Sequence, residues 1–337
     1  MRERRLAQGI TQAELATRAG VSRQLVAAVE ASRHAPAVDA AIGLARALGT
    51  TVEDLFDPPG RPVTLVAGGS VAAGTPLRVG TVDGRVVAAP LPDHGVAGAV
   101  WATPDAVMED GGARLLPGAV PAGFVVAGCD PALGVAEGML TGQGPRRLLV
   151  VAAPTGRALT ALRDGLVHAA VVHGRPDDLP VPPVAVARWH LARWRVGLAV
   201  DPGRRRRSLD DVLAGRGPIV RREAAASSQQ ALDRARLAAG IEEPVRGPEA
   251  TGHLDAARRA QAGGVAGVTI EAGARAFGLD FLPLEEHTVE LWVDERWLAH
   301  PGLAGLGDVV ASAAFTSRVG LFGGYDLAGC GDRVGVA

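Results

Sequence analysis

The chain has 337 residues, 47% of them apolar and 4% aromatic, with a formal net charge of -1. That length corresponds to two or three domains, the near-neutral charge excludes a general polyanion binder, and two distant cysteines, Cys129 and Cys330, exclude a disulfide framework or a zinc ribbon. No apolar run is long enough to span a bilayer, and the charged start Met1-Arg2-Glu3-Arg4-Arg5 is unlike a signal peptide, so the expected location is the cytoplasm.

Residues 1–34 carry six Arg against three Glu, a local positive excess that the whole chain lacks. A first helix is predicted from Arg2 to about Gln8. Thr11-Gln12-Ala13-Glu14 is a capping box, with the Thr11 hydroxyl capping and Glu14 reaching back, and it opens a second helix to Ala19. Gly20 follows, at a turn where a positive φ is cheap only for glycine. Ser22 is the N-cap residue of a third helix ending near Ala31. Residues 38–48 read as a fourth helix closed by Gly49, and Thr51-x-x-Asp54 caps a short fifth. Ala16 is small where two helices cross closely, while Leu15, Val26 and Val29 supply apolar inner faces. The pattern Gln12-x3-Ala16-x3-Gly20-x5-Val26-x2-Val29-Glu30 describes a helix-turn-helix, which places a short helix in the DNA major groove.

Five short helices around this motif resemble the phage-repressor-like (Xre) DNA-binding domains over residues 1–57. The resemblance implies roles by position. Arg23, Gln24 and Ala28 fall on the exposed face of the recognition helix. Arg can bond guanine edges, Gln adenine edges, and Ala28 offers a methyl contact. Gln12 and Arg33 are expected on backbone phosphate, with the caps Thr11 and Ser22 at the same helix starts. Such domains bind paired half-sites as dimers. Double-stranded operator DNA and a second copy of the chain are therefore the expected partners, with no membrane.

Asp57-Pro58-Pro59-Gly60 ends the helical region as a stiff connector. Residues 77–82 and 85–89 flank Asp83-Gly84, the signal of a hairpin with a type I′ turn. Residues 63–66 and 96–101 are candidate further strands. No chemical constellation occurs here, so residues 58–118 read as a linker and small β subdomain, with dimerisation as the alternative role.

From residue 119 to 337 strands and helices alternate. Strands are predicted at 124–128, 147–153, 167–172, 184–200, 218–220, 265–270, 281–284 and 288–293. Helices are predicted after Asp130-Pro131 and at 157–166, after the Ser208-x-x-Asp211 cap, after Ser227-Ser228, after Thr251-Gly252-His253, at 272–277 and at 303–315. Repeated βα units make a parallel, doubly wound sheet the default.

This order resembles the type II periplasmic-binding-protein fold, and more narrowly the molybdate-binding-protein-like domains fused behind helix-turn-helix modules. The residues that carry it are Gly128-Cys129-Asp130-Pro131-Ala132-Leu133, His253-Leu254-Asp255-Ala256-Ala257, Ala266-Gly267-Val268-Thr269-Ile270, Phe277-Gly278-Leu279-Asp280-Phe281-Leu282-Pro283-Leu284 and Gly324-Tyr325-Asp326. The resemblance implies two lobes, two crossing segments near 185–200 and 275–292, and a ligand in the cleft. The fold class is thus an all-α helix-turn-helix head, a small β segment, and an α/β two-lobed domain. Helix N-termini suit an anion, which nominates Cys129, Asp130, Thr155, Ser227, Ser228, His253, Thr269 and Glu271, with His173 added at the end of its strand. Asp130, Ser227 and Ser228 also serve as caps. Where relatives carry a glycine-rich turn with Arg, this chain has Ala224-Ala225-Ala226-Ser227-Ser228-Gln229, and the Arg204–Arg207 run reads as a solvated loop.

No G-x-S-x-G, HExxH or P-loop occurs, and the histidines are scattered without metal spacing. Neither an enzyme, a cofactor nor a metal site is expected. The expected function is a ligand-responsive transcriptional regulator, its effector an oxyanion such as molybdate or tungstate, or a small organic metabolite.

Overall fold

The computed structural model describes residues 1–31, 33–56, 62–91, 103–110, 112–140, 146–203 and 208–335. The expected connector at 57–60, the strand at 96–101 and the Arg204–Arg207 loop lie outside the described residues.

Five helices lead the chain: α1 (Arg2–Ala7), α2 (Gln12–Ala19), α3 (Arg23–Glu30), α4 (Val38–Ala47) and α5 (Val52–Phe56). The capping box at Thr11 is formed with Glu14, and Ser22 Oγ accepts from Leu25 N. Gly20 sits at φ 69°, the left-handed turn between α2 and α3. Leu15, Val26 and Leu44 are fully buried at the centre of this cluster. Ala16 is buried on α2, and α4 comes close to the end of that helix at Gly43, where an added Cβ would stand 2.5 Å from Ala19 O. Arg5, Glu30 and Gln12 form a buried network across α1, α2 and α3. Arg5 Nε and Nη2 donate to the two Glu30 oxygens at 2.7 and 3.0 Å, and Gln12 Nε2 donates to Oε2 at 2.8 Å.

A small sheet follows, from β1 (Thr64–Leu65), β2 (Pro76–Val82), β3 (Arg85–Pro90), β4 (Ala106–Glu109) and β5 (Gly112–Leu115), in the order β1-β3-β2-β4-β5. Asp83 (φ 50°) and Gly84 (φ 73°) form the predicted turn between β2 and β3. This sheet shares a core with the next domain: Val82, Val87 and Ala89 pack with Val125, Leu149 and Leu162. Arg78 pairs with Glu137 through both oxygens, at 2.9 and 2.6 Å.

The remaining strands are β6 (Phe124–Gly128), β7 (Leu148–Ala152), β8 (Ala169–Gly174), β9 (Val186–Val200), β10 (Ile219–Arg222), β11 (Glu249–Ala250), β12 (Ala266–Ile270), β13 (Asp280–Asp294) and β14 (Tyr325–Asp326). They form one sheet in the order β11-β10-β12-β9-β13-β8-β6-β7, with β14 on β9. The helices are α6 (Ala132–Met139), α7 (Thr155–Arg163), α8 (Leu209–Leu213), α9 (Ser227–Ala238), α10 (His253–Gly263), α11 (Glu271–Ala276), α12 (Pro301–Val310) and α13 (Ala313–Gly320). One lobe is built on β6, β7 and β8, the other on β10, β11 and β12. The long strands β9 and β13 are the two crossing segments and run through both.

Three expectations need correcting. The sheet is mixed: parallel blocks flank β9 and β13, which pair antiparallel with each other and with β12 and β8. The strands expected at 281–284 and 288–293 are one strand, because register shifts at Pro283/Glu285 and Val289/Glu290 absorb the irregularity. The helix expected at 303–315 is two, because Ser312 Oγ caps Phe315 N and starts α13.

His168, just before β8, is buried among Phe124, Trp297 and His300, with ring centroids 4.9, 4.8 and 4.9 Å away. Its Nδ1 accepts from Val125 N at 2.9 Å. Burial holds its pKa down at about 4, helped by His300 and Arg296 and opposed by Asp294. The unfolded chain therefore takes up a proton near pH 6.5 that the native state refuses until about 4. This contribution is complete above pH 6.5 and is lost as pH falls through that window. Between pH 7.5 and 5 the stability advantage of wild type over His168→Phe is expected to shrink by about 2 kcal/mol in urea denaturation; an unchanged gap would show that His168 is protonated in the native state.

Candidate functional site

Two regions gather the residues singled out from the sequence. The first is the outer face of α3. Arg23 and Gln24 are exposed and Ala28 is half-buried. Arg33 is exposed just beyond α3, its N–H on Ala28 O at 2.9 Å. Thr11 and Ser22 are engaged as caps, and the Gln12 amide is engaged with Glu30, so these three are anchored within the helical cluster.

The second region is the cleft between the lobes. A cavity of about 280 Å³ is lined by Thr155, Gly156 and His173 from one lobe and Ala225, Ser227 and Arg234 from the other. The lobes touch at its rim, where Gly156 N donates to Ala225 O at 3.4 Å and Arg157 pairs with Glu223 at 2.9 Å.

Beside this cavity lies a cluster that no local spacing announces. Cys129 follows β6, His173 is on β8 and His253 is the first residue of α10. Cys129 Sγ is 3.3 Å from His173 Nε2 and 3.5 Å from His253 Nε2. Trp194 on β9 stands edge-on to both rings, with centroids at 5.2 and 5.8 Å. Thr269 Oγ1 holds the His253 carbonyl at 2.8 Å, and Thr155 Oγ1 accepts from His173 N at 3.3 Å.

Hydrogen bonds at either end fix how protons are arranged in this cluster. Burial raises the Glu285 pKa, but hydrogen bonds from Arg234 and His287 outweigh it and hold the carboxyl down at about 2. The carboxylate accepts from His287 Nε2 at 3.0 Å. His287 Nδ1 then carries a lone pair, and His173 Nδ1–H donates to it at 2.9 Å. The remaining nitrogen of His173, Nε2, is left unprotonated and faces the sulfur. Burial pushes His173 and His253 well below the usual histidine range, so both rings are neutral. It also pushes the Cys129 thiol up to about 11.

Arg222, at the end of β10, is buried and reaches His253 Nδ1 through Nη1 at 3.1 Å. Its Nε and Nη2, and the Ser228 hydroxyl, are buried with no hydrogen-bond partner among the described residues. Desolvation lowers the Arg222 pKa, as expected for a cation without a salt-bridging carboxylate. Ser227 and Ser228 are the first two residues of α9 rather than preceding it.

Asp130 and Glu271 are otherwise occupied. Asp130 Oδ1 accepts from Ala132 N and from Tyr325 OH, at 2.9 and 2.8 Å, and burial pushes its pKa up to about 6. Glu271 is held by Arg195 and Arg275 at 2.7 and 2.8 Å. Arg222, His287 and Glu285 were missed from the sequence. The first ends a short strand, and the others fall in what reads as a break between strands.

Two family models match the chain: the PBP superfamily domain over residues 138–311 and a helix-turn-helix over residues 1–55. An uncharacterized HTH-type transcriptional regulator of Methanothermobacter thermautotrophicus is 47% identical over 57 residues, which are 17% of this chain and 83% of that protein. Among solved structures, an ABC-type phosphate transport receptor from Vibrio cholerae is 11% identical, covers 60% of this chain and 99% of its own, and has a TM-score of 0.42. The regulatory domain of HypT from Salmonella typhimurium is 13% identical, covers 56% and 92%, and has a TM-score of 0.42.

On operator DNA, Arg23→Ala is expected to cost about 1–3 kcal/mol and relax specificity at one base pair. Arg33→Ala is expected to weaken all sequences alike and lower the salt slope by about one. Affinity titrations over a salt series distinguish a base contact from a phosphate contact.

Proposed function

Because the chain belongs to the PBP superfamily and carries a helix-turn-helix domain ahead of that module, we propose that it is a transcriptional regulator whose operator affinity responds to a small anion in the interlobe cleft. It binds DNA as a dimer, with Arg23 and Gln24 facing bases and Arg33 facing phosphate. The effector lies among Arg222, Ser228 and the N-terminus of α9. The observation that carries this reading is the set of buried donors without partners: Arg222 Nε and Nη2 and Ser228 Oγ. An unpaired buried donor costs about 1–3 kcal/mol, more when charged, and an anion bridging the lobes offsets that cost only while the lobes stay closed. The first N–H groups of α9 add partial positive charge at the same place. Oxyanions such as molybdate or tungstate and small organic anions share this chemistry. Cys129, Thr155, His173, Ser227 and His253 complete the surroundings of the effector. The carboxylates of Asp130 and Glu271, and Thr269, support the site from behind.

Ligand can shift operator affinity only by its differential affinity for two arrangements of the protein, typically about 1–3 kcal/mol, or about 5–150-fold. Titrating the full chain on its upstream DNA with molybdate, tungstate, phosphate and short dicarboxylates is expected to give a shift of that size for one of them. An anion that binds tightly while operator affinity stays fixed would sink the coupling. Arg222→Met is expected to abolish the anion response. The same variant should keep or raise stability in the anion-free protein by about 1–2 kcal/mol, since an unpaired buried cation is replaced by an apolar side chain.

A further inference from the structure

We propose that Cys129, His173 and His253 form a binding site for a borderline divalent cation of the zinc class, with a fourth coordination position left open. The three donor atoms lie within 4.8 Å of one another and are buried, although Cys129 as a residue keeps partial access to solvent. One thiolate and two imidazoles, with no carboxylate in the set, select zinc, cobalt or nickel over magnesium or calcium.

Geometry is the first support. Zinc–sulfur and zinc–nitrogen bonds of about 2.3 and 2.0 Å at a tetrahedral angle place sulfur and nitrogen about 3.5 Å apart. The two separations here are 3.3 and 3.5 Å. The second support is the shell behind His173. Metal-bound histidines donate their other ring N–H to an acceptor that fixes tautomer and orientation. His173 does so to His287, which is itself held by Glu285, and Glu285 by Arg234. The nitrogen left for a metal, Nε2, is the one that faces the sulfur.

His253 requires a change. Its Nδ1 accepts from Arg222, which places the ring proton on Nε2. On binding, the Cys129 proton leaves to solvent, the His253 proton passes to Nδ1, and the Arg222 guanidinium must leave its 3.1 Å contact. Two of its nitrogens have no partners to hold it there. An anion at the open coordination position gives those nitrogens an acceptor and offsets the charge of the cation. His173 belongs to both this cluster and the cavity wall, so metal and effector meet in one place.

The test uses the full-length protein, stripped with chelator and titrated with Co²⁺, without DNA or effector anion. The expected result is one Co²⁺ per chain, with a near-ultraviolet thiolate-to-cobalt band, the intense visible bands of four-coordinate cobalt, and displacement by Zn²⁺. The chain has two cysteines, so survival of the thiolate band in Cys330→Ser assigns it to Cys129 even if Cys129→Ser fails to fold. Folded Cys129→Ser should lose the band. His253→Gln should lower affinity at least about tenfold, and His287→Gln, a positioning residue, by about 10–100-fold with the band retained. Absence of stoichiometric cobalt, a pale six-coordinate spectrum, or a thiolate band that disappears in Cys330→Ser would overturn the site. Because DNA is absent, this outcome is independent of whether an anion changes operator affinity.

Discussion

The pairing of β9 with β13 is the constraint on which the PBP superfamily domain depends. The two strands run antiparallel from Val186↔Asp294 to Val200↔Asp280 and cross from one lobe to the other. Each parallel block is hydrogen-bonded to one of them, β8 to β13 and β12 to β9. The lobes therefore share continuous backbone rather than a loose linker. The β9–β13 register shifts between Pro283 and Glu285 and between Val289 and Glu290. His287 lies between those shifts with Trp194 opposite it, and Glu285 flanks the first, so the polar cluster sits where the ladder is irregular.

A second constraint is the lack of a carboxylate in direct contact with Arg222: Glu223 and Asp255 act on it only through space. Buried cations are normally paired or hydrogen-bonded, and the other buried arginines follow that rule: Arg5 pairs with Glu30, and Arg236 donates to the Leu213 and Glu243 carbonyls. Arg222 meets neutral His253 instead, and two of its nitrogens stay unpartnered. The same desolvation that keeps His173, His253 and the Cys129 thiol neutral makes a charged guanidinium expensive there.

The helical head separates two uses of polar residues. Arg5, Gln12, Glu30, Thr11 and Ser22 close the hydrogen bonds that hold α1, α2 and α3 together. Arg23, Gln24 and Arg33 remain outside that network on the exposed side.

Local chemistry made the helical head legible in the sequence. Caps at Thr11 and Ser22, the left-handed Gly20, and apolar Leu15 and Val26 are decided within a few residues of one another, and the Asp83-Gly84 turn is equally local. The alternation of strands and helices after residue 119, and the two crossing segments, were likewise visible in hydrophobic pattern and resemblance. Strand direction was not, because periodicity reports which face is buried and not which neighbour pairs. Residues 281–293 read as two strands because Pro283 and the charged Glu285-Glu286-His287 look like a turn, until bulges and Arg234 accommodate them. The site was legible only in part. Cys129, His173 and His253 were each nominated singly, but separations of 44 and 124 residues from Cys129 carry no metal spacing. Their convergence, and the exposure of Arg222 to them without a carboxylate, follow from sheet topology. Sequence determined the local elements because their hydrogen bonds close locally; tertiary structure alone decided the site because its donors come from strands and helices brought together by long-range pairing.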